Sequence, residues 1–361
     1  MSQEVKGPKI IVAALNWGLG HATRCIPIIN ELLNQKAEVI LASDGRAYEL
    51  FKSEFPELKI YQLAPYDVTY AKEQMVLNIA GQLPVILLGI YKEHKALLKI
   101  IQQEGINGII SDNRFGCYHP KVYSIFLTHQ LNIKIPLRPI EMFTRLINRK
   151  VIDRFHECWI PDYPGKENIS GELSIPKKIK NPIFIGPLTR FKYKTTKKKY
   201  DVIALLSGPE PQRTVLEKII IDQASNLDIK IIIVQGKTEK FEHIKKGNLE
   251  IVSFLKAKEL NEAILSSEIV ICRSGYSTIM DLLAIQKKAI MIPTPGQTEQ
   301  EYLAESFHKR KIFYTVNQKE FKLNEALLRI NDFDPNNFHP SEFTPLSNTI
   351  TEFLAKLTVK H

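Results

Sequence analysis

Short runs of β-branched and aliphatic residues recur along this chain of 361 residues, with helix-length stretches between them. In the first half the runs lie at 9–15 (KIIVAAL), 37–43 (AEVILAS), 58–64, 108–112, 123–129, 157–162 and 183–188. Most are apolar throughout and do not alternate with polar residues. Strands of that kind are buried on both faces, which requires helices above and below a parallel sheet. The intervening stretches supply them: within 23–36, Ile26, Ile29, Leu32 and Leu33 follow a helical period.

The pattern then stops and restarts. The stretch TRFKYKTTKKKY at 189–200 is basic, polar and poor in core residues, the composition of a linker. A second series follows at 201–207, 230–236, 249–255, 268–274, 289–294 and 312–316. The expected fold class is therefore α/β, with two doubly wound, Rossmann-like parallel-sheet domains facing a cleft. The expected division is a first domain over 1–190, a linker over 191–200 and a second domain over 201–345. A final helix at 346–361 is expected to pack back on the first domain.

Composition narrows the class. Hydrophobic residues make up 44% and charged residues 24%, enough apolar material for a real core. The four cysteines, Cys25, Cys117, Cys158 and Cys272, show no CxxC spacing, which argues against a zinc site or disulfide framework. The first residues are polar and carry no apolar signal region, so a cytoplasmic location is expected. The net charge of +10 suits anionic ligands or an anionic membrane face. No basic run interleaved with aromatics is present, so nucleic acid is not an expected partner. The stretch 74–91 has no charged residue, but Gln74, Asn78, Gln82 and Pro84 interrupt it. It reads as buried helix or as an apolar patch touching a bilayer, with Lys92, Lys95 and Lys99 on one face of the helix that follows.

Ligands of open α/β sheets bind at the carboxyl ends of the strands, so the loops there hold the candidate residues. The first is NWGLGHATRC at 16–25. Gly18 and Gly20 let the backbone approach an anion at a helix start. The nicotinamide fingerprint needs a third glycine where Thr23 stands, which disfavours an oxidoreductase. His21 then becomes a candidate general base. Arg24, one turn on, suits an anion or faces solvent, and His129 faces the ligand or belongs to the core. In the second domain, Ser207 begins a comparable loop, SGPEPQR. Ser274, Gly275, Ser277 and Thr278 form a polar helix start suited to a pyrophosphate, and Asp281 follows within reach of a ribose diol. Gln297, Gln300 and Glu301 make a polar cluster suited to a sugar. No metal-ligating cluster is evident, and the DFD at 332–334 reads as a surface turn.

Together, the first loop, the CRSG junction at 272–275 and GQTEQEYLA at 296–304 resemble the MurG-like glycosyltransferases of family 28, which have the GT-B fold. FHECW at 155–159 and IGPLTRF at 185–191 add to the resemblance. It implies inverting transfer from a UDP-sugar, with no metal or other cofactor, to a lipid-linked or other cell-envelope acceptor. A position on the cytoplasmic membrane surface goes with such an acceptor. By resemblance His21 is the base, Arg190 contacts the donor phosphates and Ser207 belongs to the second glycine-rich loop. Likewise Leu255 reads the uracil, Ser274, Gly275, Ser277 and Thr278 hold phosphate, Asp281 binds ribose, and Gln300 and Glu301 hold the donor sugar. Trp17 in the first loop, the missing second glycine in SGPEPQR and Glu301 in place of a glutamine depart from the family. The last implies a donor sugar other than N-acetylglucosamine. Alternatives on the same architecture are a nucleotide-sugar 2-epimerase and a binding protein without turnover.

Overall fold

A computed structural model describes residues 7–66, 82–133, 138–237 and 241–358. The chain divides into two compact units, 1–188 with 341–361, and 189–340.

Strands β1 (Lys9–Ala14), β2 (Glu38–Ser43), β3 (Ile60–Gln62), β4 (Gly108–Asp112), β5 (Tyr123–Leu127), β6 (Glu157–Ile160) and β7 (Pro182–Phe184) form the sheet of the first unit. Helices α1 (Leu19–Asn34), α2 (Gly45–Glu54), α3 (Leu83–Glu104) and α4 (Arg138–Ile152) alternate with them. The order is β3-β2-β1-β4-β5-β6-β7, and each pair of neighbouring strands is parallel. β1 is central: Ile10 pairs with Val39 on one side and Gly108 on the other. Ile10 through Ala14 are fully buried, as an apolar strand covered on both faces must be.

The last helix, α10 (Leu346–Thr358), belongs to this unit. Gln35 Nε2 at the end of α1 donates to Ser347 O at 2.9 Å, and Thr351 Oγ1 donates to Gln35 Oε1 at 3.0 Å. Phe353 is fully buried, edge-on to Trp159 at 5.6 Å. A Cβ at residue 108 would stand 2.7 Å from the Phe353 ring, so the glycine there is what lets this helix seat.

The sheet of the second unit holds β8 (Tyr200–Leu205), β9 (Ile231–Val234), β10 (His243–Lys246), β11 (Leu249–Val252), β12 (Ser267–Cys272), β13 (Ala289–Met291) and β14 (Tyr314–Thr315). Its helices are α5 (Gln212–Ala224), α6 (Ala257–Leu265), α7 (Tyr276–Ala284), α8 (Thr298–Lys309) and α9 (Leu323–Arg329). The order is β10-β11-β9-β8-β12-β13-β14, parallel except for the β10–β11 hairpin.

Each apolar run of the sequence overlaps a strand, with β7, β8 and β12 starting one residue earlier. β10 is the one strand among the described residues that the pattern misses. Its residues, HIKK, are all exposed, so no apolar run marks it. The signal was the two-residue turn Gly247–Asn248, with Gly247 at φ +58, which closes Lys246 onto Leu249. The stretch 189–199 has no regular structure, but it is not a bare linker. Phe191 is buried, Asn261 Nδ2 donates to Lys192 O at 3.0 Å, and Lys194 pairs with Glu262 at 2.8 Å, so it packs as part of the second unit.

Candidate active site

In a doubly wound sheet the loops diverge where the strand order reverses, which opens a crevice at the carboxyl ends of the two strands concerned. In the first unit those strands are β1 and β4. Gly18 ends the loop after β1 as the N-cap of α1, with φ +101 and ψ 163, a conformation that only glycine adopts readily. Helix α1 starts earlier than the sequence periodicity indicates, so Gly20 lies in its first turn, where its carbonyl accepts from Thr23 Oγ1 at 3.0 Å. His21 shares that turn. Its Nδ1 lies 2.8 Å from Oδ1 of Asp112, the last residue of β4.

Asp112 is fully buried and so is Arg24, which grips it from α1. Arg24 Nε donates to Asp112 Oδ2 at 2.5 Å, Nη2 donates to Oδ1, and Nη1 donates to His129 Nδ1 at 2.8 Å. Burial acts to raise the Asp112 carboxyl, but Arg24 and His21 outweigh it and hold the group down at about 2. An ionised carboxylate only accepts, so the proton on His21 Nδ1 points at Asp112 and the lone pair is on Nε2. That is the arrangement of a general base whose partner orients it and stabilises its protonated form. Arg24 is not a solvent-facing anion site, because the carboxylate and His129 engage its guanidinium.

A second buried network lies around the same strand ends. Arg114, two residues after Asp112, donates from Nε to Ala14 O at 3.1 Å and from Nη1 to Ala64 O at 3.0 Å. It also donates from Nη1 to Glu93 Oε1 at 2.9 Å and from Nη2 to Asp44. Tyr66 Oη donates to Glu93 Oε2 at 2.6 Å, and Trp17 stands edge-on to Tyr66 at 6.2 Å. The ends of β1, β2, β3 and β4 are thereby tied to α3. Asp44 is thus an ion-pair partner within the fold.

The second unit reverses its order between β8 and β12. Ser207 and Gly208 follow β8 in an exposed loop, with Gly208 at φ +96. Gly275 caps α7 after β12, and Ser277 and Thr278 sit in the first turn of that helix. Arg273, fully buried beside this junction, donates to Ile292 O at 3.1 Å, Pro293 O at 3.2 Å, Gln212 O at 2.8 Å and Gln318 Oε1 at 2.7 Å. It fastens the ends of three loops together. Burial lowers its guanidinium to about 10.

Several residues expected to meet a ligand are engaged within this unit. Ser274 is fully buried and its Oγ donates to Gln300 O at 2.8 Å, so its hydroxyl fixes α8 against β12. Gln300 Oε1 accepts from Thr294 N at 2.8 Å while its Nε2 donates to Gln297 Oε1, and Glu301 Oε1 accepts from Gly296 N at 2.9 Å. Gln297, Gln300 and Glu301 do come together, as a brace for the turn that precedes α8. Asp281 Oδ1 accepts from Thr189 Oγ1 at 2.7 Å. Burial pushes the Asp281 carboxyl up to about 6, with the nearby Arg190 charge and Thr189 opposing. Leu255 lies half-buried between β11 and α6. Among the described residues, no group of three His, Cys, Asp or Glu side chains is placed to hold a metal ion.

Residues 211–355 match the sequence model of the glycosyltransferase family 28 C-terminal domain. The chain is a glycosyltransferase whose C-terminal part is similar to family 28. An uncharacterised glycosyltransferase of Methanosarcina acetivorans is 25% identical to it over 319 residues, 81% of either chain. The UDP-N-acetylglucosamine–N-acetylmuramyl-(pentapeptide) pyrophosphoryl-undecaprenol N-acetylglucosamine transferase of Haemophilus influenzae is 22% identical over 161 residues, 44% of this chain and 45% of that one. Among solved structures, Acinetobacter baumannii MurG superposes with a TM-score of 0.58 at 13% identity, covering 97% of this glycosyltransferase and 99% of MurG. The glycosyltransferase SnogD from Streptomyces nogalater gives 0.64 at 12% identity, covering 97% and 100%. The fold is GT-B, as the sequence resemblance implies.

Two functional residues escaped the sequence reading. Asp112 ends an apolar strand and looks there like an ordinary strand-terminating polar residue; only the adjacency of β1 and β4 brings it to His21. Arg273 sits inside the CRSG motif, where the glycine and serines draw attention first. An arginine next to a buried strand end, with no acidic neighbour in sequence, was the available signal.

Proposed function

We propose that this glycosyltransferase moves a hexose or N-acetylhexosamine from a UDP-sugar to a lipid-linked or other cell-envelope hydroxyl, with inversion and without a metal ion. The observation that carries the reading is the His21–Asp112 pair at the β1–β4 switch point. His21 Nε2 takes the proton of the acceptor hydroxyl while that oxygen bonds to the anomeric carbon. The bond from that carbon to the donor's diphosphate oxygen breaks, and the electron pair leaves with the nucleoside diphosphate. The second unit carries backbone N–H groups suited to a diphosphate at the α7 N-terminus and in the Ser207–Gly208 loop.

A nucleoside diphosphate donor is supported by the relatives. The structural neighbour VinC is described in complex with DTDP and the rhamnosyltransferase SpnG with thymidine diphosphate, while the Haemophilus relative is named for a UDP-sugar. That relative's name also includes a polyprenyl carrier. Surface features of the first unit fit a lipid-borne acceptor. Val85, Leu87, Leu88 and Tyr91 of α3 are exposed beside Lys92, Lys95 and Lys99, and Met142, Leu146 and Ile147 of α4 are exposed beside Arg145 and Arg149. Residues 74–81 of the uncharged stretch lie outside the described residues. No described helix is long and apolar enough to cross a membrane.

The decisive test is His21→Ala. Transfer falls by about a thousandfold or more, while UDP raises the melting temperature of the variant as it does that of the native chain. Native-like transfer by the variant removes His21 as the base. Loss of activity in EDTA that manganese restores removes the metal-free mechanism. A screen of UDP, thymidine diphosphate and their sugars by thermal shift identifies the donor base.

A further inference from the structure

Arg24 is the member of the first-unit cluster whose chemistry allows no choice. A guanidinium donates and never accepts. Its Nη1 stands 2.8 Å from His129 Nδ1, so that nitrogen accepts, the ring is neutral and its proton is on Nε2. The same guanidinium holds Asp112 through Nε at 2.5 Å and through Nη2. The carboxylate so fixed accepts the Nδ1 proton of His21 at 2.8 Å. Arg24 Nη2 also lies 3.1 Å from His21 Nδ1, and both nitrogens donate to Asp112 Oδ1. Arg24 Nη2 thus has hydrogen-bond geometry to that histidine nitrogen, but the carboxylate oxygen is nearer, and its negative charge makes His21 Nδ1 the donor. Arg24 and His21 are three residues apart, on the same face of α1, and His129 follows β5, the strand next to β4.

We infer that Arg24 is a positioning residue that sets the two histidines in opposite tautomers. His21 is held as Nδ1–H with a bare Nε2, and His129 as Nε2–H with a bare Nδ1. Reversing His129 would aim its N–H at a guanidinium N–H, and reversing His21 would aim a lone pair at a carboxylate oxygen. The ring proposed as base therefore presents its lone pair without a tautomeric equilibrium to draw from, while the second ring is kept from competing as a base at the same nitrogen. The functional half of this inference rests on the reading of His21 as base; the tautomers themselves do not.

The experiment is a long-range proton–nitrogen NMR spectrum of the full chain labelled at histidine nitrogen, taken at about pH 8.5, where imidazoles are neutral. His21→Gln and His129→Gln assign the two rings. The expected result is Nδ1–H for His21 and Nε2–H for His129. In Arg24→Gln the His129 ring becomes a mixture of tautomers and kcat falls about tenfold or more, with the donor KM within about twofold. Arg24→Lys restores part of both. The same tautomer in both native rings overturns the inference, as does a His129 spectrum unchanged in Arg24→Gln. Should Arg24→Gln fail to fold, the native spectrum alone decides. Opposite tautomers together with full transfer by His21→Ala would leave Arg24 in this role and remove the base reading.

Discussion

The two switch points of this chain are built from the same topology and filled differently. Both lie where a Rossmann-like sheet reverses its strand order. Between β1 and β4 the fold gathers charged side chains, Arg24 with Asp112 and Arg114 with Asp44, while burial pushes Glu93 beside Arg114 up to about 7. Between β8 and β12 it gathers glycine turns, a helix N-terminus and the Glu210–Arg213 ion pair, with Arg273 turned inward onto carbonyl oxygens. Asp112 and Asp281 make the contrast concrete. Asp112 is fully buried and Asp281 half-buried, yet the first is held at about 2 and the second raised to about 6. Burial acts upward on both; Asp112 goes the other way because a guanidinium grips both of its oxygens. In the proposed reaction the first site would take a proton, which fixed charge around its base favours, and the second would receive a diphosphate, which unspent N–H groups favour.

The comparison can be broken most severely at Asp112. Asp112→Asn leaves Arg24 buried without its counter-charge, which should cost about 3–5 kcal/mol in urea unfolding and abolish transfer. If stability is unchanged, the ionic character assigned to this switch point is wrong. Arg273→Met should follow at about 2–4 kcal/mol, since several buried acceptors lose their donor. Weakened UDP binding in a folded variant would show that the three loops it fastens form the donor site, and native affinity would count against that.

The pH dependences of the two aspartates should run in opposite directions. Asp112 has a folded value of about 2 against an ordinary 3.8, so its stabilisation is present above 3.8 and lost as pH falls through 2. Asp281 has a folded value of about 6 against 3.8, so its contribution is full below 3.8 and lost as pH rises through 6. Asp281→Asn should therefore be more stable than the native chain by about 1–3 kcal/mol at pH 8, and the gain should vanish near pH 4. A gain that persists at pH 4 would place its origin elsewhere. Smallest is Ser274→Ala, which removes one buried bond to Gln300 O and should cost about 1 kcal/mol. A much larger loss of UDP affinity than of stability would return Ser274 to the ligand.

What the sequence determined follows from local periodicity. Apolar runs bounded by helical stretches place strands in both units, because a strand buried on both faces has no other composition open to it. The glycine at a strand–helix junction puts His21 where a ligand can reach it. Local pattern stops short of partners. His21 and Asp112 are 91 positions apart and meet because the chain returns past β2 and β3 to lay β4 beside β1. Arg24 reads as a surface residue on a helical wheel, yet the carboxylate waiting on β4 makes its burial affordable. Ser274 and Gln300 look like ligand groups until α8 packs and each satisfies the other's segment. Periodicity is written residue by residue, whereas the compensation of buried charge depends on strand order, and strand order exists only in the folded sheet.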